Sequence, residues 1–347
     1  MTQLLSLSPE ELAAFVKDLG LPAFRAKQLH EWLIKGEDFS AMTNLPEALR
    51  ARLSAAAIAQ PVTIAKSIRS AVDDTEKLLY RLSDGNLIEG VVMRYHHGDT
   101  LCVSTQVGCR MGCAFCASTL GGLVRNLSPG EMLGQIVAVD KMLRPEDRRV
   151  HNVVLMGSGE PLDNYENVVK FLRLATDERG LNLSARGISL STCGLVPGMR
   201  ALADEGIPVT LSVSLHAPDD ETRKKLMPVA NAYAIDEILD ACRYYIEKTG
   251  RRVIFEYALA GGVNCDVKYA DALAKKLRGM QCHVNLIPLN HVAESALKAP
   301  PPGAVEAFLN RLTERHISAT RRREMGDDIE GACGQLRRRV LDTNEEN

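Results

Sequence analysis

The stretch TLCVSTQVGCRMGCAFC, residues 100–116, joins a β-type run to a loop rich in cysteine. Residues 100–106 form a short run that is typical of a buried strand. Three cysteines then follow with the spacing C-x3-C-x2-C, and they are Cys109, Cys113 and Cys116. The stretch therefore predicts three thiols gathered just beyond the end of a first strand.

Further β-type runs follow this one, and helical segments with apolar residues at helix spacing lie between them. The later runs occupy residues 151–157, 187–193, 209–216, 252–259 and 283–290. Such alternation predicts a parallel sheet with right-handed crossovers, and six βα units are too few to close an eight-stranded barrel. We therefore predict an α/β fold, an open partial (β/α)6 TIM-like barrel whose working residues lie at the C-terminal ends of the strands.

The rest of the chain divides around this barrel, which we expect over residues 99–320. Residues 1–60 predict a small helical N-terminal domain of an RNA-binding type, although its Lys and Arg side chains fit an ordinary solvated face equally well. Residues 61–98 predict a β-hairpin connector, with a turn at Asp84 and Gly85. We expect residues 321–347 to form a C-terminal loop and tail.

The composition narrows the class of protein. The chain has 347 residues, of which 46% are hydrophobic and 25% charged, as in soluble globular proteins. It shows neither a secretory signal nor an apolar stretch long enough to cross a membrane, so we expect a cytoplasmic protein. Nine cysteines are an odd number, which favours metal-binding or catalytic thiols in a reducing compartment over a disulfide framework.

Three interpretations of the cysteine trio can be compared. A structural zinc site needs four ligands, commonly two C-x2-C pairs, and this region offers one such pair. Three buried cysteines acting as small hydrophobic residues fit poorly with Gly108 and Gly112, which indicate a loop. An iron–sulfur cubane held by three thiolates leaves one iron open to another ligand. The motif resembles that of the radical S-adenosylmethionine enzymes, and the resemblance implies one [4Fe–4S] cluster on these cysteines, with S-adenosyl-L-methionine bound to it.

The same resemblance implies a cofactor pocket at the later strand ends. In GSGEP, Gly159 allows close approach of the backbone to a ligand, and Glu160 suits the amino group of the cofactor's methionyl moiety. Polar groups at other strand ends suit ribose and carboxylate, and these predicted cofactor-binding residues are Ser191, Ser214, Leu215, His216 and Asn290. Taken singly, each is equally well explained as a turn, a cap or a satisfied polar residue of the core.

Four segments together carry a closer resemblance: TLCVSTQVGCRMGCAFCAST, GSGEPLDN, SLHAP and GDDIEGACGQL. With the helical start LGLPAFRAKQLHEWL, they are similar to the radical S-adenosylmethionine 23S rRNA (adenine-C2) methyltransferase family over nearly the whole chain. The resemblance implies an RNA substrate, which is 23S rRNA at the peptidyl-transferase centre and, in some members, tRNA beside the anticodon. It also implies an electron donor such as flavodoxin, no membrane association and a monomer.

The family resemblance also implies roles for three further residues. One cofactor molecule methylates the thiol of Cys333, and a second is cleaved at the cluster to start a radical reaction that joins Cys333 to adenine C2. Cys102 then helps remove the C2 proton and forms a transient disulfide with Cys333 as the methylated base departs. Glu89 matches the proton acceptor of the family, although the sequence alone also fits a surface carboxylate on a strand.

Several alternatives stay open at this stage. A related family methylates C8 of the same ribosomal adenine and shares these motifs. A non-catalytic RNA-binding protein with a structural cluster leaves Cys333 unexplained, and a radical activase of another protein has no use for the two extra thiols. The arginine runs at 320–324 and 336–340 either hold RNA phosphates or form a solvated face. Cys193, Cys242, Cys265 and Cys282 are expected to be packing residues.

Overall fold

In the computed structural model, which describes residues 1–96, 98–290, 292, 294–323, 325–332 and 335, ten strands form one mixed sheet. Seven of them run parallel to one another: β6 (Gly98–Cys102), β9 (Val150–Leu155), β10 (Ile188–Thr192), β11 (Thr210–Ser214), β12 (Val253–Leu259), β13 (Cys282–Pro288) and β14 (Ala319–Arg321). The first six confirm the predicted βα units. The sheet does not close on itself, since β14 lies at one edge and β3 (Val62–Arg69) at the other.

Helices connect the parallel strands, as the apolar periodicity predicts. They are α4 (Pro129–Leu143), α5 (Tyr165–Thr176), α6 (Val196–Asp204), α7 (Asp220–Leu226), α8 (Ile235–Thr249), α9 (Val267–Leu277) and α10 (Ala304–Glu314). Helix α4 begins with a capping box, in which Ser128 Oγ accepts the Glu131 N–H and the Glu131 carboxylate accepts the Ser128 N–H. The local sequence therefore determines where this crossover helix starts.

Three antiparallel strands extend the sheet beyond its parallel part. They are β3, β4 (Glu76–Leu82) and β5 (Leu87–Tyr95), and the turn at Asp84 and Gly85 joins the last two. Strand β5 also pairs with β6, so that Val91 lies opposite Cys102. Residues 62–95 are thus part of the barrel sheet and bring their side chains beside the first parallel strand.

The N-terminal segment forms three helices, α1 (Pro9–Asp18), α2 (Phe24–Ile34) and α3 (Glu47–Ala56). Two residues at each end of this segment also pair in parallel, as β1 (Thr2–Gln3) with β2 (Ala57–Ile58), which the sequence analysis did not predict. Leu12 and Leu29 are buried in the same hydrophobic core as the barrel helices. Within the described residues, no helix is both long and apolar enough to span a membrane.

Candidate active site

The three cysteines lie on a loop between two short antiparallel strands, β7 (Gln106–Gly108) and β8 (Leu123–Asn126). The base of this loop is closed by a hydrogen bond of 3.0 Å from the Cys109 N–H to the Gly122 carbonyl. Gly108 has a φ of +76°, and a Cβ there would lie 2.0 Å from the Gly122 oxygen. Only glycine fits at this position, which explains the residue before the first cysteine.

A cavity of about 160 Å³ opens beside this loop at the C-terminal ends of the strands, and Cys109, Cys113 and Cys116 all line it. Six of the predicted cofactor residues line the same cavity: Gly159, Glu160, Ser191, Ser214, His216 and Asn290. The barrel thus brings these six residues together from four strand ends and places them beside the thiols. The Leu215 side chain does not reach the cavity, because it is fully buried in the main hydrophobic core.

Glu160 ties two strand ends together beneath the cavity. The side chain is only 4% exposed, and its two carboxylate oxygens accept the N–H groups of Leu162 at 3.0 Å and Cys193 at 2.7 Å. Burial raises the pKa of this carboxyl, while those backbone hydrogen bonds oppose the shift. The carboxylate therefore holds the GSGEP loop against the end of β10, and Glu160 also lines the cavity.

His216 presents a hydrogen-bond donor to the same cavity. Its Nδ1 accepts the Ala258 N–H at 2.9 Å, which leaves the proton on Nε2. That Nε2 atom is buried and has no partner among the described residues. Burial, helped by the charge of Arg223, lowers the pKa of His216 to about 3. The imidazole is therefore neutral at physiological pH and offers one unused N–H, held next to the ring of Phe115 at 4.8 Å between centroids.

The three thiols around the larger cavity are suited to bind an iron–sulfur cluster. Burial raises the pKa of Cys109 to about 11 and that of Cys113 further, so each must lose its proton when it binds iron. In the described part of the chain, no group of three or more His, Cys, Asp or Glu residues is placed to hold a single ion. A cluster makes a different demand, because each thiolate binds its own iron and the sulfur atoms stand further apart than around one ion. The unpartnered His216 N–H and the shared cavity fit a cluster together with a polar cofactor.

A second cavity, of about 50 Å³, adjoins the first, and Cys102 lines it. The two cavities share the residues Met156, Ile287, Asn290 and Arg322. Gly331 and Ala332 also line the smaller cavity, and they come directly before Cys333 in the chain. Cys333 itself lies outside the described residues. The tertiary structure thus brings Cys102 to the segment that leads to the predicted methyl-accepting thiol.

The turn between β3 and β4 holds this C-terminal segment in place. The Asp328 carboxylate accepts hydrogen bonds from the Ser70 hydroxyl at 2.7 Å and the Ala71 N–H at 2.9 Å. The Asp73 carboxylate accepts the Gly326 N–H at 2.8 Å. These contacts join residues that are far apart in sequence, so the antiparallel extension serves as the anchor of the loop before Cys333.

Glu89 is buried on β5, at 7% exposure, and its carboxylate forms an ion pair of 3.2 Å with Lys77. Alternate residues of a strand share a face, so Glu89 lies on the same face as Val91, which is paired with Cys102. The side chain is not part of the lining of either cavity. The alternative of a solvated surface carboxylate does not hold, because the residue is buried.

The cavities also contain residues that the sequence analysis did not assign to the site. Glu256 lines the larger cavity from β12 and accepts a hydrogen bond of 2.8 Å from the Asn285 side chain. In the sequence, the signal for a role of Glu256 was a carboxylate inside an otherwise apolar strand. Arg322, from a run considered for phosphate contact, lines both cavities. Cys193, expected to be a packing residue, lines the larger cavity and packs in a small cluster with Cys113.

Comparisons with known proteins agree with this geometry. The family model "Radical SAM superfamily" matches residues 103–269, and "Ribosomal RNA large subunit methyltransferase N-terminal domain" matches residues 2–59. The chain is 51% identical to the probable dual-specificity RNA methyltransferase RlmN of Lachnospira eligens, over 100% of this chain and 99% of that protein. It is 53% identical to the protein of that name in Alkaliphilus oremlandii, over 97% of this chain and 98% of the relative.

A solved structure is similar over the same extent. The crystal structure of a radical SAM methyltransferase from Sphaerobacter thermophilus has 44% sequence identity and a TM-score of 0.94, with 97% of this chain and 99% of that chain covered. The radical SAM superfamily implies a [4Fe–4S] cluster and S-adenosylmethionine as cofactors. On the strength of the full-length identity, the shared fold and the cysteine-lined cavity, the chain belongs to the radical S-adenosylmethionine RNA methyltransferases of the RlmN family.

Proposed function

We propose that this chain methylates C2 of an adenine in 23S rRNA, at the peptidyl-transferase centre, and of the adenosine 3′ of the anticodon in tRNA. One observation carries the proposed chemistry: the cavity of the cysteine trio adjoins the cavity that Cys102 shares with Gly331 and Ala332. A methyl-carrying thiol in the segment after Ala332 needs access both to the cofactor and to a second thiol. Adjoining cavities support both requirements.

The cofactor site follows from the residues around the larger cavity. Cys109, Cys113 and Cys116 are the proposed cluster ligands, and the bound cluster and cofactor supply the radical chemistry that an electrophilic carbon such as C2 requires. Glu160 positions the GSGEP loop, and the Nε2–H of His216 donates to a polar atom of the cofactor. Gly159, Ser191, Ser214 and Asn290 complete the polar wall. The Leu215 side chain has no part in this site, so its contribution is confined to the backbone.

The methyl transfer uses the proposed pair of thiols. Cys333 accepts the methyl group on sulfur. The radical that the bound cofactor would supply takes one hydrogen atom from this methyl group, and the resulting methylene carbon becomes bonded to C2 of the base. Cys102 helps to remove the C2 proton and then forms a disulfide with Cys333, as the bond between the Cys333 sulfur and the carbon breaks and the methylated base leaves. Glu89, buried on the same face of β5 as Val91, is the proposed proton acceptor and is paired with Lys77.

The target adenine must leave its stack to reach the cavity, which favours unpaired RNA. The described Arg321 and Arg323 flank Arg322 on the exposed side of β14 and its continuation, where phosphates can approach. The run at 336–340 lies outside the described residues. We further propose a cytoplasmic monomer that receives electrons from a small donor such as flavodoxin.

The decisive experiment is product analysis after anaerobic reconstitution with iron and sulfide. The wild type is incubated with dithionite, S-adenosylmethionine and 23S rRNA or tRNA, and the digested nucleosides are analysed by chromatography and mass spectrometry. We expect 2-methyladenosine from the wild type and none from Cys333→Ala. The matched control is Cys265→Ala, which removes a half-buried thiol from the wall of a different pocket and should leave the product unchanged.

The other outcomes separate the alternatives. Formation of 8-methyladenosine would contradict the C2 assignment while keeping the RNA methyltransferase activity. Equal product from wild type and Cys333→Ala would contradict the proposed methyl carrier. Cofactor cleavage without any methylated rRNA or tRNA nucleoside would contradict the proposed substrates.

A further inference from the structure

Arg223 is a completely buried cation on α7, and its accessible surface is 0%. Its Nε donates to the Leu215 carbonyl at 3.2 Å, and its Nη2 donates to the carbonyls of Cys193 at 2.6 Å and Ser214 at 3.3 Å. The Nη1 atom is buried without a hydrogen-bond partner among the described residues. The side chain thus bridges the ends of β10 and β11, and its Nη1 group remains an unused hydrogen-bond donor.

The charge of this guanidinium is not offset by a carboxylate in salt-bridge contact within the described chain. The nearby acidic group is Asp220, whose carboxylate accepts the Ile235 N–H at 2.8 Å. Burial lowers the pKa of Arg223, as expected for a cation removed from water. A buried charge is strongly destabilising unless an opposite charge compensates it. The position of Arg223 therefore favours an anion close to it in the core.

Residues close to Arg223 contact the cysteine loop. The carbonyl of Leu226, the last residue of α7, accepts a hydrogen bond of 2.9 Å from the N–H of Ala114, between Cys113 and Cys116. Leu226, Met227 and Cys193 form a small buried cluster against which Cys113 and Phe115 pack. Arg223 does not line the cavity, so it faces the cysteine loop from behind and without contact with the cavity contents.

We propose that Arg223 supplies the buried positive charge that offsets the negative charge of the iron–sulfur cluster and raises its reduction potential. This inference rests on the proposed cluster ligands Cys109, Cys113 and Cys116. Reduction by an external donor adds one electron, so the cluster and its three thiolates become more negative by one unit. A nearby cation stabilises the reduced state more than the oxidised state, and the interaction is strong in the protein interior, where the effective dielectric constant is low. Arg223 is therefore a positioning residue that acts on the cluster through its field.

The test compares the cluster potential of Arg223→Met, which removes the charge, with that of Arg223→Lys, which keeps it. Each protein is reconstituted anaerobically, its iron is counted, and the reduced cluster is followed by electron paramagnetic resonance during titration with dithionite. At a fixed solution potential, we expect the ratio of reduced to oxidised cluster to fall about tenfold in Arg223→Met, equal to about 59 mV for a one-electron couple. Arg223→Lys should stay within about threefold of the wild type by the same relation.

Two further variants keep the test decisive if the methionine protein does not fold. Arg223→Gln is neutral and keeps an amide nitrogen at the chain position of Nε, which donates to the Leu215 carbonyl. Asp220→Asn removes the nearby negative charge while leaving Arg223 in place. The charge mechanism predicts a lower potential for the first and a higher one for the second. Wild-type potentials in the neutral variants, or equal shifts in the lysine and neutral variants, would overturn the proposal. A wild type that binds no iron would instead overturn the proposed cluster ligands, and the inference with them.

Discussion

Ala332 and Cys102 line the same cavity, although one comes near the end of the chain and the other lies in the first parallel strand. The residue after Ala332 is Cys333. Met325, at the start of the same segment, packs with Cys102, Val91 and Met93 in a small cluster apart from the main core. This cluster links the strand that carries the predicted resolving thiol to the segment that carries the predicted methyl acceptor.

Replacing Cys102 with Ala should trap protein and RNA as a covalent adduct, because no thiol remains to release Cys333 from the base. The adduct should be visible as a slowly migrating band on a denaturing gel after anaerobic turnover, and methylated nucleoside should fall at least about a hundredfold. Cys282→Ala is the matched control. Cys282 lies at the N-terminal end of β13, whereas the cavity lies at the C-terminal ends of the strands. Release of normal amounts of product by Cys102→Ala would rule out its role as the resolving thiol.

Asp328→Ala should release the anchor between the β3–β4 turn and the C-terminal segment. We expect RNA methylation to fall about tenfold or more, because misplacement of a reacting group by about 1 Å is enough for such a loss. Iron content should stay unchanged, since the contacts of Asp328 are remote from the cysteine loop. The control is Asp327→Ala, which removes an exposed neighbouring carboxylate. An equal loss in both variants would show that the anchor has no specific role.

Gly159→Ala should destabilise the fold more than an alanine at another glycine with positive φ. Gly159 has a φ of +107°, and a Cβ there would lie 2.6 Å from Gln106 Cβ, whereas Gly206, with a φ of +68°, has nothing within 4 Å. Backbone strain costs about 1–2 kcal/mol in both variants, and overpacking adds about 1–3 kcal/mol at Gly159 only. Urea denaturation of the two variants measures the difference, and equal stabilities would contradict the close approach of these two loops.

The stability of the protein should fall in acid because His216 is buried and neutral. Its pKa is about 3 in the folded state against an ordinary value of 6.5, so the unfolded chain binds the extra proton first as the pH falls below 6.5. Between pH 7 and pH 5 this residue alone should cost about 2 kcal/mol. His216→Asn, which tolerates the φ of +56° at this position, should lack that contribution. Urea denaturation at both pH values measures the free energy of unfolding. An equal loss of this free energy between pH 7 and pH 5 in the two proteins would contradict the prediction.

Most of the fold could be predicted from the sequence because its signals are local. The six parallel strands and their helices follow from runs of apolar residues and their spacing, and capping residues such as Ser128 mark where helices begin. Strand β14 was missed because it has three residues and little apolar pattern. Leu215 was assigned to the cofactor together with its neighbours. Successive residues of a strand point to opposite faces, so Ser214 and His216 line the cavity while the Leu215 side chain points away from it.

By itself, the sequence determined the class of chemistry and the family, because three cysteines at a set spacing, the glycines of the cysteine loop and the strand-end motifs lie within short segments of chain. The tertiary structure decided which remote groups meet. Only the folded chain sets Cys102 beside the segment before Cys333, places Glu256 and Arg322 in the cavity walls, and puts Arg223 behind the cysteine loop. Such contacts depend on strand register and core packing between residues far apart in the chain, and periodicity along one segment carries no information about them.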